Sequence, residues 1–153
     1  MPMIGEAERQ YIRAELDRQL QGEVELVLLV RPEVARLYVP GRVPNSSRET
    51  QQLLEELVGL SDRLRLTVYD VAAEPERAAE HGVDPEVTPA LLLKGAAQGR
   101  LRMFGLPAGY EFRTLLDSII AVSQGSGRLS EAGRAEVAAL SDPVHIQVFV
   151  TPT

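Results

Sequence analysis

Apolar residues recur along this chain with two periods, one near four and one near two, and the two alternate. The clearest helical stripe lies in Tyr110 to Val122, where Phe112, Leu115, Leu116, Ile119 and Ile120 fall at i, i+3, i+4, i+7 and i+8. Burying those side chains favours folding by about 1.5–3 kcal/mol each before entropy costs. Ile12, Leu16 and Leu20 recur every fourth position in a helix predicted over residues 5 to 20, which Gly22 is placed to end. Leu53, Leu54, Leu57 and Leu60 form the stripe of a helix over Ser46 to Leu60. Ser46 with Glu49 three residues on predicts a capping box at its start. Pro75 suits the first turn of a short helix closed by Gly82. A weaker helix spans Ser130 to Leu140, ended by Asp142-Pro143.

Strand patterns lie between these helices. Val24 to Val30 is almost continuously apolar, as expected of an interior strand covered on both faces, and Arg31-Pro32 stops it. Leu64 to Val71 alternates, with Leu64, Leu66 and Val68 facing one way. Val83 to Leu93 reads as a strand opened by a proline. It turns at Lys94-Gly95 and returns as Arg100 to Phe104. Val144 to Val150 is a further seven-residue strand followed by X-Pro, the same shape as Val24 to Val30 before Arg31-Pro32. It reads as the start of an internal repeat cut off after its first strand. Arg31 to Asn45 is a 15-residue connection, long against the roughly 2–6 residues usual between a strand and its helix. Its Val34, Leu37, Tyr38 and Val39 suit a loop tucked onto the core, or else a binding flap or dimer patch.

Bulk properties narrow the function. The 153 residues fit one domain, or one domain plus an appendage. A formal net charge of −6 argues against nucleic acid or an anionic membrane as partner. No apolar run approaches the roughly 20 residues of a membrane span. The N-terminus turns charged by Glu6, so no signal peptide is expected and a cytoplasmic location is. The chain has no cysteine, which removes disulfides, thiolate ligands and thiol chemistry.

The order of elements, with Thr88-Pro89 at the mouth of the proline-opened strand, resembles the thioredoxin fold. In particular, Phe104-Gly105-Leu106-Pro107-Ala108-Gly109-Tyr110-Glu111-Phe112 and Val148-Phe149-Val150-Thr151-Pro152-Thr153 resemble the N-terminal unit of the protein disulfide oxidoreductases. These are glutaredoxin-like proteins with two thioredoxin-fold units in tandem. The resemblance implies an α/β fold with a central mixed four-stranded sheet flanked by helices. It implies a thioredoxin-like domain over residues 1–123 and a linker over 124–129. Residues 130–153 would be the helix and strand that begin a truncated second repeat.

The same resemblance places the family's CxxC motif at Pro44, Asn45, Ser46 and Ser47, counting back along the helix from Asp62. Pro44 then stands where the nucleophilic cysteine would be, and Ser47 where the resolving one would be. A CxxC works because the helix N-terminus lowers the first thiol's pKa, so that a thiolate attacks a disulfide. Proline has nothing to ionise, and a serine hydroxyl is far too weak an acid. A redox-inactive unit with no catalytic residue and no cofactor is therefore expected. The Thr88-Pro89 bond would be trans on residue type alone, since only about 5–6% of X-Pro bonds are cis. The resemblance implies cis, which turns the Thr88 backbone outward where an extended peptide can pair with it.

Three functional expectations follow. The first is a scaffold or protein-interaction domain that binds a protein or peptide partner at Thr88 and Pro89 and forms a homodimer through residues 130–153. The second is binding or transfer of glutathione-like thiols using Ser46 or Ser47. The third is a fragment of a disulfide oxidoreductase whose active CxxC follows Thr153 in the native gene. Other constellations carry less. His81 before Gly82 reads as a helix C-terminal residue favoured by the dipole. His145 is on the polar side of its strand, and two histidines without cysteine make no zinc site. Asp70 reads as a solvated strand end, or as a buried carboxylate of the kind that moves protons. Gly125-Ser126-Gly127 lacks the lysine of a phosphate loop.

Overall fold

The computed structural model describes residues 1–31, 46–97 and 100–150. The elements run α1 (Glu6–Gln19), β1 (Val24–Val30), α2 (Ser47–Val58), β2 (Leu64–Asp70), α3 (Pro75–Glu80), β3 (Ala90–Lys94), β4 (Leu101–Phe104), α4 (Tyr110–Gln124) and α5 (Glu131–Ala138). Their sheet order is β2-β1-β3-β4. β1 pairs with β2 in parallel, from Val24 opposite Leu64 to Val30 opposite Asp70. It pairs antiparallel with β3, which in turn pairs antiparallel with β4. The expected mixed four-stranded sheet is what forms. The 15-residue connection falls almost wholly outside the described residues.

The two faces of the sheet are covered unequally. On one, the stripes of α1, α2 and α4 meet Val24, Leu26 and Leu28 of β1, Leu64 of β2, and Leu91 and Leu93 of β3 in a single core. On the other, Val27, Leu29, Ala90 and Leu92 pack under the short α3 through Ala78, Val71 and Val83. β1 therefore buries both of its faces, which is why its sequence is continuously apolar rather than alternating. β2 is an edge strand among the described residues, and its alternation sends Leu64, Leu66 and Val68 to the larger core.

Polar contacts lock the ends of these elements. The Ser123 hydroxyl, buried at the end of α4, accepts from the backbone N–H of Gln21 and Gly22 at 2.8 and 2.9 Å, so it satisfies the turn between α1 and β1. The β3–β4 turn packs on the same helix end, where Ala97 N–H reaches the Val122 carbonyl at 3.1 Å. At the other end of the chain, Glu56 of α2 accepts from the backbone N–H of Met3 and Ile4 and pairs with Arg9 at 2.7 Å. This seats Ile4 in the core. Those donors stabilise the charged carboxylate and hold its pKa at about 2, against an ordinary 4.5.

Two expectations fail locally. The capping box at α2 is absent, since the Ser46 hydroxyl makes no capping hydrogen bond and its backbone sits at φ −86°, ψ 19°. That conformation is close to helical, so the side chain is not aimed at the N–H groups of the first turn. Val144 to Val150 is not a strand either: it is exposed throughout and pairs with no described strand. A strand is held by its ladder, and apolar alternation supplies a face but no partner. α5 forms, with the Ser130 hydroxyl accepting from Gly133 N–H at 3.1 Å, yet it buries none of its residues.

Two measurements check this packing. A Cβ at Gly95 would lie 2.8 Å from Val122 Cγ1 and 3.1 Å from the Val122 carbonyl oxygen. Gly95→Ala should therefore lower stability by about 1–3 kcal/mol in denaturant unfolding. Because the Glu56 pKa is depressed in the folded state, its contribution is complete above pH 4.5 and is lost as pH falls through about 2. Glu56→Gln should cost about 1–2 kcal/mol at pH 7. The gap between the variant and the parent should close in acid.

Candidate functional site

The candidate site lies at the end of the sheet where β1 and β2 finish and β3 begins. Thr88 and Pro89 directly precede β3, and the peptide bond between them is cis. Pro89 is buried and its carbonyl accepts from Gly105 N–H at 2.9 Å, which fixes the residue just before β3 against the residue just after β4. Thr88 is different. It lies outside the ladder with β1, which begins at Ala90, and its N–H and C=O have no backbone partner among the described residues.

The segment leading to Thr88 is shaped by its own side chains. Asp84 accepts from Glu86 N–H at 2.9 Å through its carboxylate and from Val87 N–H through its carbonyl, forming a tight turn. Glu86 then pairs with Arg31, immediately after β1, at 2.7 Å. That ion pair ties the cis-proline segment to the strand end from which the chain departs toward α2. Neither Arg31 nor Glu86 stands out in the sequence, because an isolated Arg and a Glu 55 positions apart carry no local signal.

Of the four positions assigned to the missing dithiol, Pro44 and Asn45 lie outside the described residues. Ser46 is the half-buried residue before α2 and Ser47 is its buried first residue. One turn on, Thr50 is completely buried and its hydroxyl has no hydrogen-bond partner among the described residues. Ser47 and Thr50 thus give the inward face of α2 a polar first turn, followed by the wholly apolar Leu53, Leu54 and Leu57. Sequence reasoning missed Thr50, although its place three residues before Leu53 continues the buried stripe by one turn. None of these hydroxyls can supply a thiolate.

Exposed apolar side chains flank the cis-proline segment beside the exposed Asp84 and Glu86. Val87 and Phe104 remain about half exposed, at 46% and 51%, and Tyr110 at the start of α4 is 88% exposed. Phe104 stands opposite Ala90 in the β3–β4 ladder, so it lies at the level of the cis bond.

The remaining candidates resolve as structural groups. Asp70 is partly exposed and its carboxylate accepts from Ala72 N–H at 2.8 Å, closing the turn after β2. His81 does end α3, as its C-cap. Burial first, and then the charge of Lys94, push its pKa below 6.5. Its ring lies against Tyr69 and its carbonyl accepts from Arg102 at 3.0 Å. His145 is exposed in the tail. Among the described residues, no group of three His, Cys, Asp or Glu side chains could hold a metal ion. No described helix is long and apolar enough to cross a membrane.

No protein-family model matches this chain and no curated protein does. Solved structures do. The alkylhydroperoxide reductase component AhpF of Enterococcus faecalis superposes with a TM-score of 0.70 at 21% identity, over 90% of this chain and 61% of that one. A protein disulfide oxidoreductase from Aeropyrum pernix superposes with a TM-score of 0.69 at 21% identity, over 89% of this chain and 55% of that one. The chain thus spans little more than half the length of either structure. These likenesses and the sheet order establish a thioredoxin-like fold, here in a chain without cysteine.

Insulin incubated with this protein and dithiothreitol should be reduced no faster than with dithiothreitol alone. The turbidity assay that follows precipitation of the insulin B chain checks this. Turnover above that background would mean that some group other than a thiol carries the reaction.

Proposed function

We propose that this chain is a redox-silent thioredoxin-like unit that binds an extended stretch of a protein partner at Thr88. It acts as the scaffold or interaction part of a protein of the disulfide oxidoreductase type. One observation carries this reading: the Thr88 backbone, beside a cis proline, is left without backbone partners among the described residues at an open end of the sheet. An extended peptide that pairs with such a group gains affinity from main-chain hydrogen bonds and specificity from its side chains. Val87 and Phe104 supply apolar contacts next to those bonds. Loss of the cysteines does not touch any of these groups, so recognition survives where chemistry does not.

A panel of unstructured, apolar-rich peptides titrated by fluorescence anisotropy tests the reading. Binding should weaken about 3–10-fold in Phe104→Ala, whose half-exposed ring contributes little to the core. If no peptide binds, or if the variant binds as the parent does, the assignment fails.

A second reading, binding of a glutathione-like thiol, is favoured by the Ser46 hydroxyl, which is not used to cap α2. There it would donate to a bound thiolate at the helix start while Thr88 pairs with the ligand backbone. Reduced glutathione at 100 times its Kd should then stabilise the chain by about 2.7 kcal/mol. Ser46→Ala should abolish that shift, and the absence of any shift in the parent chain removes this reading.

A further inference from the structure

We infer that Lys94, Arg100 and Arg102 form a binding site for a phosphate group, carried by free phosphate or by a phosphate monoester, where β4 passes the C-terminal end of α3. Lys94 is at the far end of β3 from Thr88, so the site does not depend on the peptide reading there.

β4 alternates as a strand should. Leu101 and Met103 turn to the larger core, which sends Arg102, and Arg100 just before the strand, to the face that α3 covers. Lys94 ends β3 on the same face, two residues after Leu92, which packs under α3. The two arginines converge on Gly82, which follows α3 with φ +60° and has no side chain. The position that a Cβ would take there is 3.0 Å from Arg102 Nη2 and 3.7 Å from Arg100 Nη1. Lys94 is close as well: after burial, its charge is the next cause that lowers the pKa of the adjoining His81.

The charge in this corner is not neutralised. Asp and Glu outnumber Lys and Arg by 22 to 16 in the chain, yet among the described residues none of these three cations forms an ion pair. The nearby carboxylates are engaged with other groups. Glu25 accepts from the Thr67 hydroxyl at 2.9 Å, and Glu80 pairs with Arg77 at 3.0 Å. Between Lys94 and Arg100 the sequence holds no acid. Lys94 stands opposite Glu25 near the start of β1, whereas the chain departs into residues 32–45 from the other end of that strand.

Like charges held together repel, and Arg102 is also partly withdrawn from water. Its Nη2 donates to the His81 carbonyl at 3.0 Å, while its buried Nε has no partner among the described residues. A desolvated cation bonded only to a carbonyl is offset by an anion. The same bond holds the guanidinium in place before a ligand arrives. Two guanidinium groups and an ammonium, brought from two strands, offer more donors than the two oxygens of a planar carboxylate accept. A tetrahedral dianion matches them, and the fork of arginine N–H groups suits its oxygens.

Inorganic phosphate titrated into the isotope-labelled chain, followed by amide NMR, tests the site. The signals of Gly82, Lys94 and Arg102 should shift and saturate, while sodium chloride at the same ionic strength leaves them in place. Arg100→Gln, at an exposed side chain, should keep the melting temperature and weaken phosphate binding about fivefold or more. Arg102→Lys keeps the charge but loses the fork, and should weaken binding too. Phenyl phosphate separates the two sources. If it saturates the same signals, the site takes a monoester; if only inorganic phosphate does, the ligand is free phosphate. Signals that do not move with phosphate, that move equally with chloride, or that respond in Arg100→Gln as in the parent overturn the inference.

Discussion

Everything in this molecule is hung on β1, the strand whose two edges and two faces are all occupied. Val24 to Val30 pairs with β2 on one side and β3 on the other, and six of its seven residues are buried. Every backbone N–H and C=O in such a position has to be satisfied by a neighbouring strand, because water does not reach it. The parallel pairing with β2 demands a crossover, which α2 provides. The antiparallel pairing with β3 sets the direction in which the chain enters from Pro89. Register across β1 therefore aligns the end of β2, the start of β3 and the departure toward α2 at one rim. The candidate site is at that rim for this reason.

The unequal cover of the two faces follows from the same strand. α1, α2 and α4 share the larger core, while α3, six residues long, covers only part of the opposite face. What α3 leaves open is filled with polar pairs rather than apolar side chains. The Thr67 hydroxyl donates to Glu25 at 2.9 Å, and Arg77 lies over the Tyr69 ring at 4.8 Å while pairing with Glu74 and Glu80. These exposed ion pairs stabilise little. Their effect is to keep a half-covered sheet face hydrated.

Absence of the dithiol changes chemistry without changing architecture, and the first turn of α2 shows why. Ser47 and Thr50 occupy inward positions as small polar side chains, so the helix still docks through Leu53, Leu54 and Leu57. Pro89 is buried before β3 and Thr88 lies outside the ladder. Main-chain geometry holds Thr88 and Pro89 in place, through the cis bond and the Gly105 N–H on the Pro89 carbonyl. Dithiol reactivity depends on two sulfur atoms, which can be removed independently of that geometry.

The helical stripes at Ile12, Leu16 and Leu20, at Leu53 to Leu60 and at Leu115 to Ile120 are legible because each helix buries a continuous band, and a band imposes a period on the sequence. The continuous run of β1 and the alternation of β2 are legible for the same reason, since burial on two faces or one is written directly into composition. The cis geometry before Pro89 is foreseen only through the resemblance. Residue type by itself favours trans, and the surrounding sheet decides the outcome. The Arg31–Glu86 pair, the Ser123 anchor and the inward Thr50 are illegible, because each joins residues distant in sequence or depends on a helix rotation that a short polar stretch does not encode. The tail is the sharpest case. Its alternation from Val144 to Val150 specifies a strand-like face, but hydrogen-bonded pairing is a property of two segments, and only the tertiary structure could decide that this segment finds no partner strand among the described residues.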